Sequence, residues 1–243
     1  MPLLLRLGED EAALQKAAAA HDPDLLAVVI LKLYRSTADK STLFKMLYAY
    51  PDALPVLKLY LQGKGSASTV ERNILKSLFL YNKNYVDAGL SELAYGYSQP
   101  SKDVLLQSLK EAVTVLAPGR QYDALSLKSS TEEEIDLIDI HKTLTLRTNS
   151  MSSPPTWIGS SVTKTLFQLV LLSVQNASDT TWEKEAAKLI KKFKISEKTL
   201  WHIRLECFAQ CAAWGEIAKL AAEKKSPIGY RPFALICIRY VAI

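Results

Sequence analysis

The sequence predicts an all-α protein, an α-solenoid of stacked antiparallel helical hairpins. Apolar residues recur at helical spacing along most of the 243 residues, only nine Gly and ten Pro interrupt them, and no run alternates cleanly enough for a strand. The breaks between helical runs are only a few residues long, which forces consecutive helices to run antiparallel, and hairpins stacked in a row follow naturally.

In chain order, Glu9, Asp10 and Glu11 sit where the positive end of a helix dipole favours acid, and an Ala-rich run continues that helix to Ala20. Asp22 and Pro23 open the next: Asp caps orphan amides, and Pro lacks only an N–H that the first turn would not use. This helix runs to about Arg35. Residues 39–49 and 52–62 read as a pair broken at Tyr50 and Pro51, with Gly63, Lys64 and Gly65 as a turn. Ser68, Thr69, Val70 and Glu71 fit a capping box before a helix carrying Ile74, Leu75, Leu78 and Phe79. Asn82–Asn84 separates it from a helix ending near Pro100, and residues 101–116 form an amphipathic helix that stops at Pro118 and Gly119. Thr131 to Glu134 fits a second capping box, opening a helix with Ile135, Ile138 and Leu146. Residues 149–156, with Ser150, Ser152, Ser153, Pro154 and Pro155, read as an exposed loop between an N-terminal part, 1–148, and C-terminal repeats over 157–243. Those repeats read as helices near 160–177, 181–193, 196–213, 214–225 and 230–242.

Thirty basic and 25 acidic residues give a net charge of +5, too small by itself to concentrate the chain on nucleic acid or an anionic membrane. Three Cys without a framework spacing point to a reducing compartment. Leu3–Leu5 is too short for a signal peptide, and the apolar runs Leu25–Leu31 and Leu166–Val174 are too short to span a bilayer. A soluble chain is expected, reaching membranes only through partners.

Several early helices are more apolar than a half-wetted helix requires. Leu25, Leu26, Val28, Val29, Ile30, Leu31, Leu33 and Tyr34 cover nearly the whole circumference of one helix. Two readings follow. These are central core helices, or part of this surface receives a partner, for which Leu26, Val29, Ile30, Leu33, Tyr34, Leu57, Tyr60 and Tyr81 are the candidates.

Reactive chemistry is hard to assemble. Cys207 and Cys211 share a helix face, but His202 lies well round the cylinder and no fourth ligand is near, so these thiols, and Cys237, read as buried structural residues. Glu132, Glu133, Glu134 and Asp136 read as a solvated first turn. Asp139 and His141, two apart, cannot face each other on a helix. Gly63 to Ser66 lacks the spacing of a phosphate loop, and Asn176, Ala177 and Ser178 form a glycosylation triplet without a secretory signal. Lys184, Lys188, Lys191, Lys192, Lys194 and Lys198 offer a polyanion-binding alternative, against the plainer reading of a wet helix face. No metal, cofactor or catalytic pairing is expected.

The last fifty residues carry a resemblance. Lys194, Ile195, Ser196, Glu197, Lys198, Thr199, Leu200 and Trp201, then Trp214, then the string from Lys224 to Phe233 resemble the C-terminal domain of the vacuolar protein sorting-associated protein 16 family. Leu5 to Glu11, with Leu14 to Ala17, is similar to the start of that domain. Within the string, Ser226, Pro227, Ile228, Gly229 and Tyr230 are the most specific. Pro227 would stop one helix, Gly229 permit the turn, and Tyr230, Phe233 and Ile236 dock the next. The resemblance implies a core subunit of the HOPS and CORVET tethering complexes, peripheral on late endosome, lysosome or vacuole membranes. It implies a Sec/Munc-type partner, vacuolar protein sorting-associated protein 33, held by about residues 1–110, and no nucleic acid. The family's N-terminal β-propeller has no counterpart here and the family continues beyond Ile243, so the chain reads as a fragment. A helical coat or adaptor module is the alternative.

Overall fold

The computed structural model describes residues 2–65, 69–149, 151, 154–176, 179–223 and 226–241. They are all-α: fourteen helices and no strand occur among the described residues. The chain divides into two compact units, Met1–Ile135 and Asp136–Ile243.

The first unit contains α1 (Pro2–Leu7), α2 (Asp10–Ala19), α3 (Pro23–Ser36), α4 (Lys40–Tyr48), α5 (Ala53–Gly65), α6 (Thr69–Tyr81), α7 (Tyr85–Ser98), α8 (Lys102–Leu116) and the first half of α9 (Tyr122–Thr148). Most packing is between helices adjacent in the chain, supplemented by α3 on α5 and α4 on α6. The caps are local chemistry. Asp22 accepts from the amides of Asp24 and Leu25 at 3.0 and 3.2 Å, and Asp39 from those of Ser41 and Thr42 at 3.0 and 3.2 Å. α7 and α8 approach closely because Gly89 and Gly96 face α8: a Cβ on Gly89 would lie 2.7 Å from the Leu116 side chain, and one on Gly96 2.8 Å from Ser108 Cβ.

The second unit takes the rest of α9 with α10 (Val162–Gln175), α11 (Thr181–Lys192), α12 (Glu197–Gln210), α13 (Trp214–Ala222) and α14 (Arg231–Val241). α10 packs on α11 and α12, and α12 on α13 and α14. Leu166, Leu169, Trp182, Leu189, Ile203 and Cys207 centre one core; Trp201, Leu205, Leu220, Phe233 and Ile236 centre another.

Four boundaries differ from the sequence expectations. α1 precedes α2 as a separate short helix. Gly63, Lys64 and Gly65 are the last turn of α5, since helical hydrogen bonds tolerate Gly near a terminus. Thr131 does not cap a helix. It lies inside α9, where its hydroxyl donates back to the Leu127 carbonyl at 2.7 Å. The acidic run beside it is therefore mid-helix, with Glu132 held by Lys128 at 3.7 Å and Asp136 by Lys192 at 2.9 Å. The division between units likewise falls inside α9, earlier than the expected loop at 149–156. Just beyond it Trp157 is buried, and its indole donates to Thr148 Oγ1 at 3.0 Å. Ser68, Ser150, Ser152, Ser153, Ala177, Ser178, Lys224 and Lys225, which entered the expectations above, lie outside the described residues.

Non-glycine residues in the left-handed region end four described helices: His21, Lys83, Lys194 and Ala212 have φ of 51, 55, 49 and 53°. After the last three, the next amide closes on a carbonyl five residues back, as Asn84 does on Phe79, Ile195 on Ile190 and Ala213 on Phe208, at 2.9, 3.1 and 2.8 Å. Those bonds satisfy terminal carbonyls and offset the strain of a Cβ in that region.

Candidate interaction surface

The apolar excess of α3 resolves mostly inward. Leu26, Val29, Ile30, Leu33 and Tyr34, spaced to share one face, are buried with Leu57 in the first unit's core, so they are not an accessible partner surface in this state. The physical reason is the stacking of α2 and α5 against that face. Tyr60 is half-buried, its ring edge-on to Tyr34 with centroids 5.7 Å apart. Tyr81 is 47% exposed, stacked on Tyr48 at 5.2 Å and edge-on to Phe44 at 6.1 Å. Of the candidates, Tyr81 alone stands open.

A different apolar set faces solvent on α3, α5, α6 and α7: Val28, Leu59, Val70, Leu80 and Leu90. Beside Leu90 lies a groove of about 470 Å³ between α5 and α7, lined also by Arg72, Leu75 and Phe79 of α6. Lys58 pairs with Asp87 across it at 3.2 Å, its ammonium 5.0 Å from the Phe79 ring centroid. Arg72 lies 3.6 Å over the Tyr95 ring and 3.8 Å from Glu92, a carboxylate with no exposed surface that Lys76 approaches at 3.0 Å. None of these charged residues stood out in the sequence. They are scattered over α5, α6 and α7, and only the packing collects them.

In the second unit the family-like residues separate by role. Trp201 and Phe233 are buried in one core, with Ile228 packed partly against it. Gly229 has φ of +69°, the conformation its turn requires, and Ser226 Oγ donates to its carbonyl at 3.4 Å. Pro227 is half-buried in that turn. Trp214, at the start of α13, is 38% exposed. Tyr230 does not dock: it is 73% exposed, because the face of α14 that packs inward begins at Phe233. Cys237 is exposed, since it shares the outer side of α14 with Leu235 and Ile238.

Burial pushes the Cys207 thiol up to about 12, with smaller contributions from Cys211 and Glu206, which removes it as a nucleophile at neutral pH. His141 is buried, its Nε2 2.8 Å from Thr165 Oγ1, and burial holds its pKa below the ordinary value. Among the described residues no cluster of His, Cys, Asp or Glu could hold a metal ion, and no helix is long and apolar enough to cross a membrane. The basic face of α11 is partly neutralised, Lys188 by Glu185 and Lys192 by Asp136, both at 2.9 Å.

Comparisons with known proteins cover nearly all of the chain. The family described as "Vps16, C-terminal region" matches residues 1–241. The Vacuolar protein sorting-associated protein 16 homolog of Dictyostelium discoideum is 24% identical over 240 residues, covering 98% of this chain and 27% of its own length. The homolog of Drosophila melanogaster is 26% identical over 240 residues, covering 98% of this chain and 26% of its own. Vacuolar protein sorting-associated protein 16 of Saccharomyces cerevisiae is 40% identical over 55 residues, 23% of this chain and 7% of its own. The chain thus spans about a quarter of the length of the relatives it matches throughout.

Proposed function

Because the chain belongs to the Vps16 C-terminal region family, we propose that it is a scaffold segment of an endosomal or vacuolar membrane-tethering complex. It performs no bond chemistry and acts by holding another subunit in place. The observation that carries this reading is the family match over residues 1–241 of a chain whose described residues are all helical. The proposed occupant is a Sec/Munc-type SNARE regulator, vacuolar protein sorting-associated protein 33, alongside other HOPS or CORVET subunits. The proposed site of action is the cytoplasmic side of late endosome, lysosome or vacuole membranes, reached through partners.

Within about residues 1–110, the surface for this contact is the exposed set Leu59, Leu80, Tyr81 and Leu90, not the buried residues of α3. Co-purification of the chain with the Sec/Munc-type protein tests the assignment. Leu59→Asp combined with Tyr81→Asp should lower binding at least ten-fold, the order expected when central apolar anchors are lost, while circular dichroism stays unchanged. Leu235→Asp with Ile238→Asp, on exposed positions of the second unit, should leave binding intact. Loss of binding by the second pair and not the first would overturn the placement. A wild-type chain that fails to co-purify would overturn the partner.

A further inference from the structure

We propose that the cleft between α10, α11 and α12 in the second unit, together with the lysine face beside it, docks a partner protein segment that presents a large apolar side chain next to carboxylates. This is a second contact, separate from the one placed on the first unit, and it does not depend on which subunit that unit holds.

The cleft holds about 320 Å³, and Val170, Val174, Ile190, Leu200 and Phe208 give it apolar walls. That volume is at the lower end for binding clefts, room for one or two bulky side chains and not for the paired acyl chains of a lipid. A more open hollow of about 410 Å³ runs over Thr181, Lys184, Lys188 and Lys191 of α11. The two meet at Ala187, which lines both and is exposed. Its methyl leaves the passage between them clear, where a long side chain would divide them.

The charges favour acids, and they are within reach. Lys184, Lys188 and Lys191 are all exposed, spread over about 10 Å of one helix face. Around the two hollows four cations, these three and Arg204, stand against two acids, Glu183 and Glu185. Glu185 is already shared by Arg147 at 3.0 Å and Lys188 at 2.9 Å. Lys191 and Arg204 have no ion-pair partner among the described residues.

The chain on its own gains little from this placement. Lys184 stands near the start of α11, where the helix dipole opposes a cation. Lys188 lies one turn from both Lys184 and Lys191, so like charges crowd the face. Carboxylates laid between them relieve that repulsion. The excess is local to this unit: residues 136–243 carry 15 basic and nine acidic side chains, residues 1–135 carry 15 and 16. A bilayer surface fits less well. The exposed residues of α11 are charged apart from Ala187, so no large apolar side chain stands out from the helix to enter lipid. The apolar surface is recessed in the cleft, which suits a side chain that reaches in.

The test titrates the full 243-residue chain, at physiological salt and observed by its amide NMR spectrum, with three acetylated, amidated hexapeptides. Glu-Glu-Leu-Phe-Glu-Glu carries both features, Gln-Gln-Leu-Phe-Gln-Gln lacks the charge, and Glu-Glu-Ser-Ser-Glu-Glu lacks the apolar pair. The first should bind about ten-fold more tightly than the second, the order expected of two or three exposed ion pairs. It should exceed the third by at least about ten-fold, as burial of an aromatic side chain requires. Shifts should centre on Ala187, Ile190, Leu200 and Phe208. Lys184→Gln with Lys191→Gln should erase the preference for Glu over Gln. Lys164→Gln with Lys219→Gln, the same loss of charge at exposed positions elsewhere in the second unit, should preserve it. Ala187→Trp should weaken the first peptide about ten-fold, with circular dichroism unchanged. Equal affinity for the first two peptides, equal losses from the two lysine pairs, or binding indifferent to Ala187→Trp would overturn the proposal. So would displacement of the first peptide by phosphatidylserine-containing vesicles or by oligouridylate, which would give the face to a bilayer or to nucleic acid.

Discussion

In the first unit the fully buried polar side chain at the centre of α6–α8 is an ion. Glu92 sits among Arg72 at 3.8 Å and Lys76 at 3.0 Å, with Lys76 also 3.6 Å from Glu111. In the second unit the corresponding groups are neutral. Thr165 spends its hydroxyl hydrogen on the Ser161 carbonyl at 2.9 Å, so its oxygen accepts from His141 Nε2–H. Thr148 does the same between Leu144 and Trp157, both at 3.0 Å. A neutral pair leaves little unmet, here the buried Nδ1 of His141, whereas a buried ion needs several partners and costs free energy until it has them. In the second unit these pairs join α9 to α10 and to Trp157; in the first, Arg72 and Glu92 face each other at 3.8 Å with buried polar atoms of both still without a hydrogen-bond partner.

The largest effect that sharpens this contrast comes from Glu92→Ala. Removing one member of a buried ion pair leaves its partners uncompensated, at a cost of about 3 kcal/mol. Lys76 can still turn toward Glu111 and solvent, which keeps the loss at the lower end of the range. Hydrogen exchange should show it as faster opening of α6–α8, with the second unit unchanged. If Glu92→Ala were neutral, the cluster would not be an interior charge in energetic terms, and the contrast with the second unit would collapse.

This cluster also shows where the sequence stops being legible. The all-α fold could be read from helical periodicity, and Asp22, Asp39, Ser161 and Ser196 each accept from an amide in the first turn of the helix that follows. Helix ends at His21, Lys83, Lys194 and Ala212 were not marked by the glycine that normally signals a left-handed cap. Thr131 followed by Glu134 has the letters of a capping box, yet it is mid-helix because a Thr hydroxyl can bond a carbonyl one turn back as readily as it caps. At the candidate surface, periodicity found the apolar face of α3 but could not say which neighbour covers it. Burial depends on α2 and α5, and the groove on three helices meeting, so neither was encoded at any single spacing.

The neutral arrangement of the second unit makes its own prediction, in pH. Burial depresses the folded-state pKa of His141, so the unfolded chain takes up a proton at higher pH than the folded one. The contribution to stability is complete above the ordinary histidine pKa of about 6.5 and declines as pH falls from there toward the depressed value. Urea unfolding between neutral and mildly acidic pH, resolved by hydrogen exchange in α9 and α10, should show this slope, and His141→Leu should remove it. Thr165→Val at neutral pH should cost about 1–2 kcal/mol by stranding Nε2–H. A slope that persists without His141 would place the titrating group elsewhere.

The smallest effect is expected at Tyr230, set against Phe233 of the same family-like string. Phe233 is buried against Trp201 and Leu205, so Phe233→Ala should destabilise the end of the second unit by about 3 kcal/mol, as core truncations do. Tyr230, three positions earlier and mostly in solvent, should cost under about 0.5 kcal/mol when changed to Ala, because the truncation leaves no cavity. Thermal unfolding of the two variants in parallel checks the pair. A loss at Tyr230 comparable to that at Phe233 would mean that its ring is covered in solution. The α14 face bearing Leu235 and Ile238 would then be the place to look for what covers it.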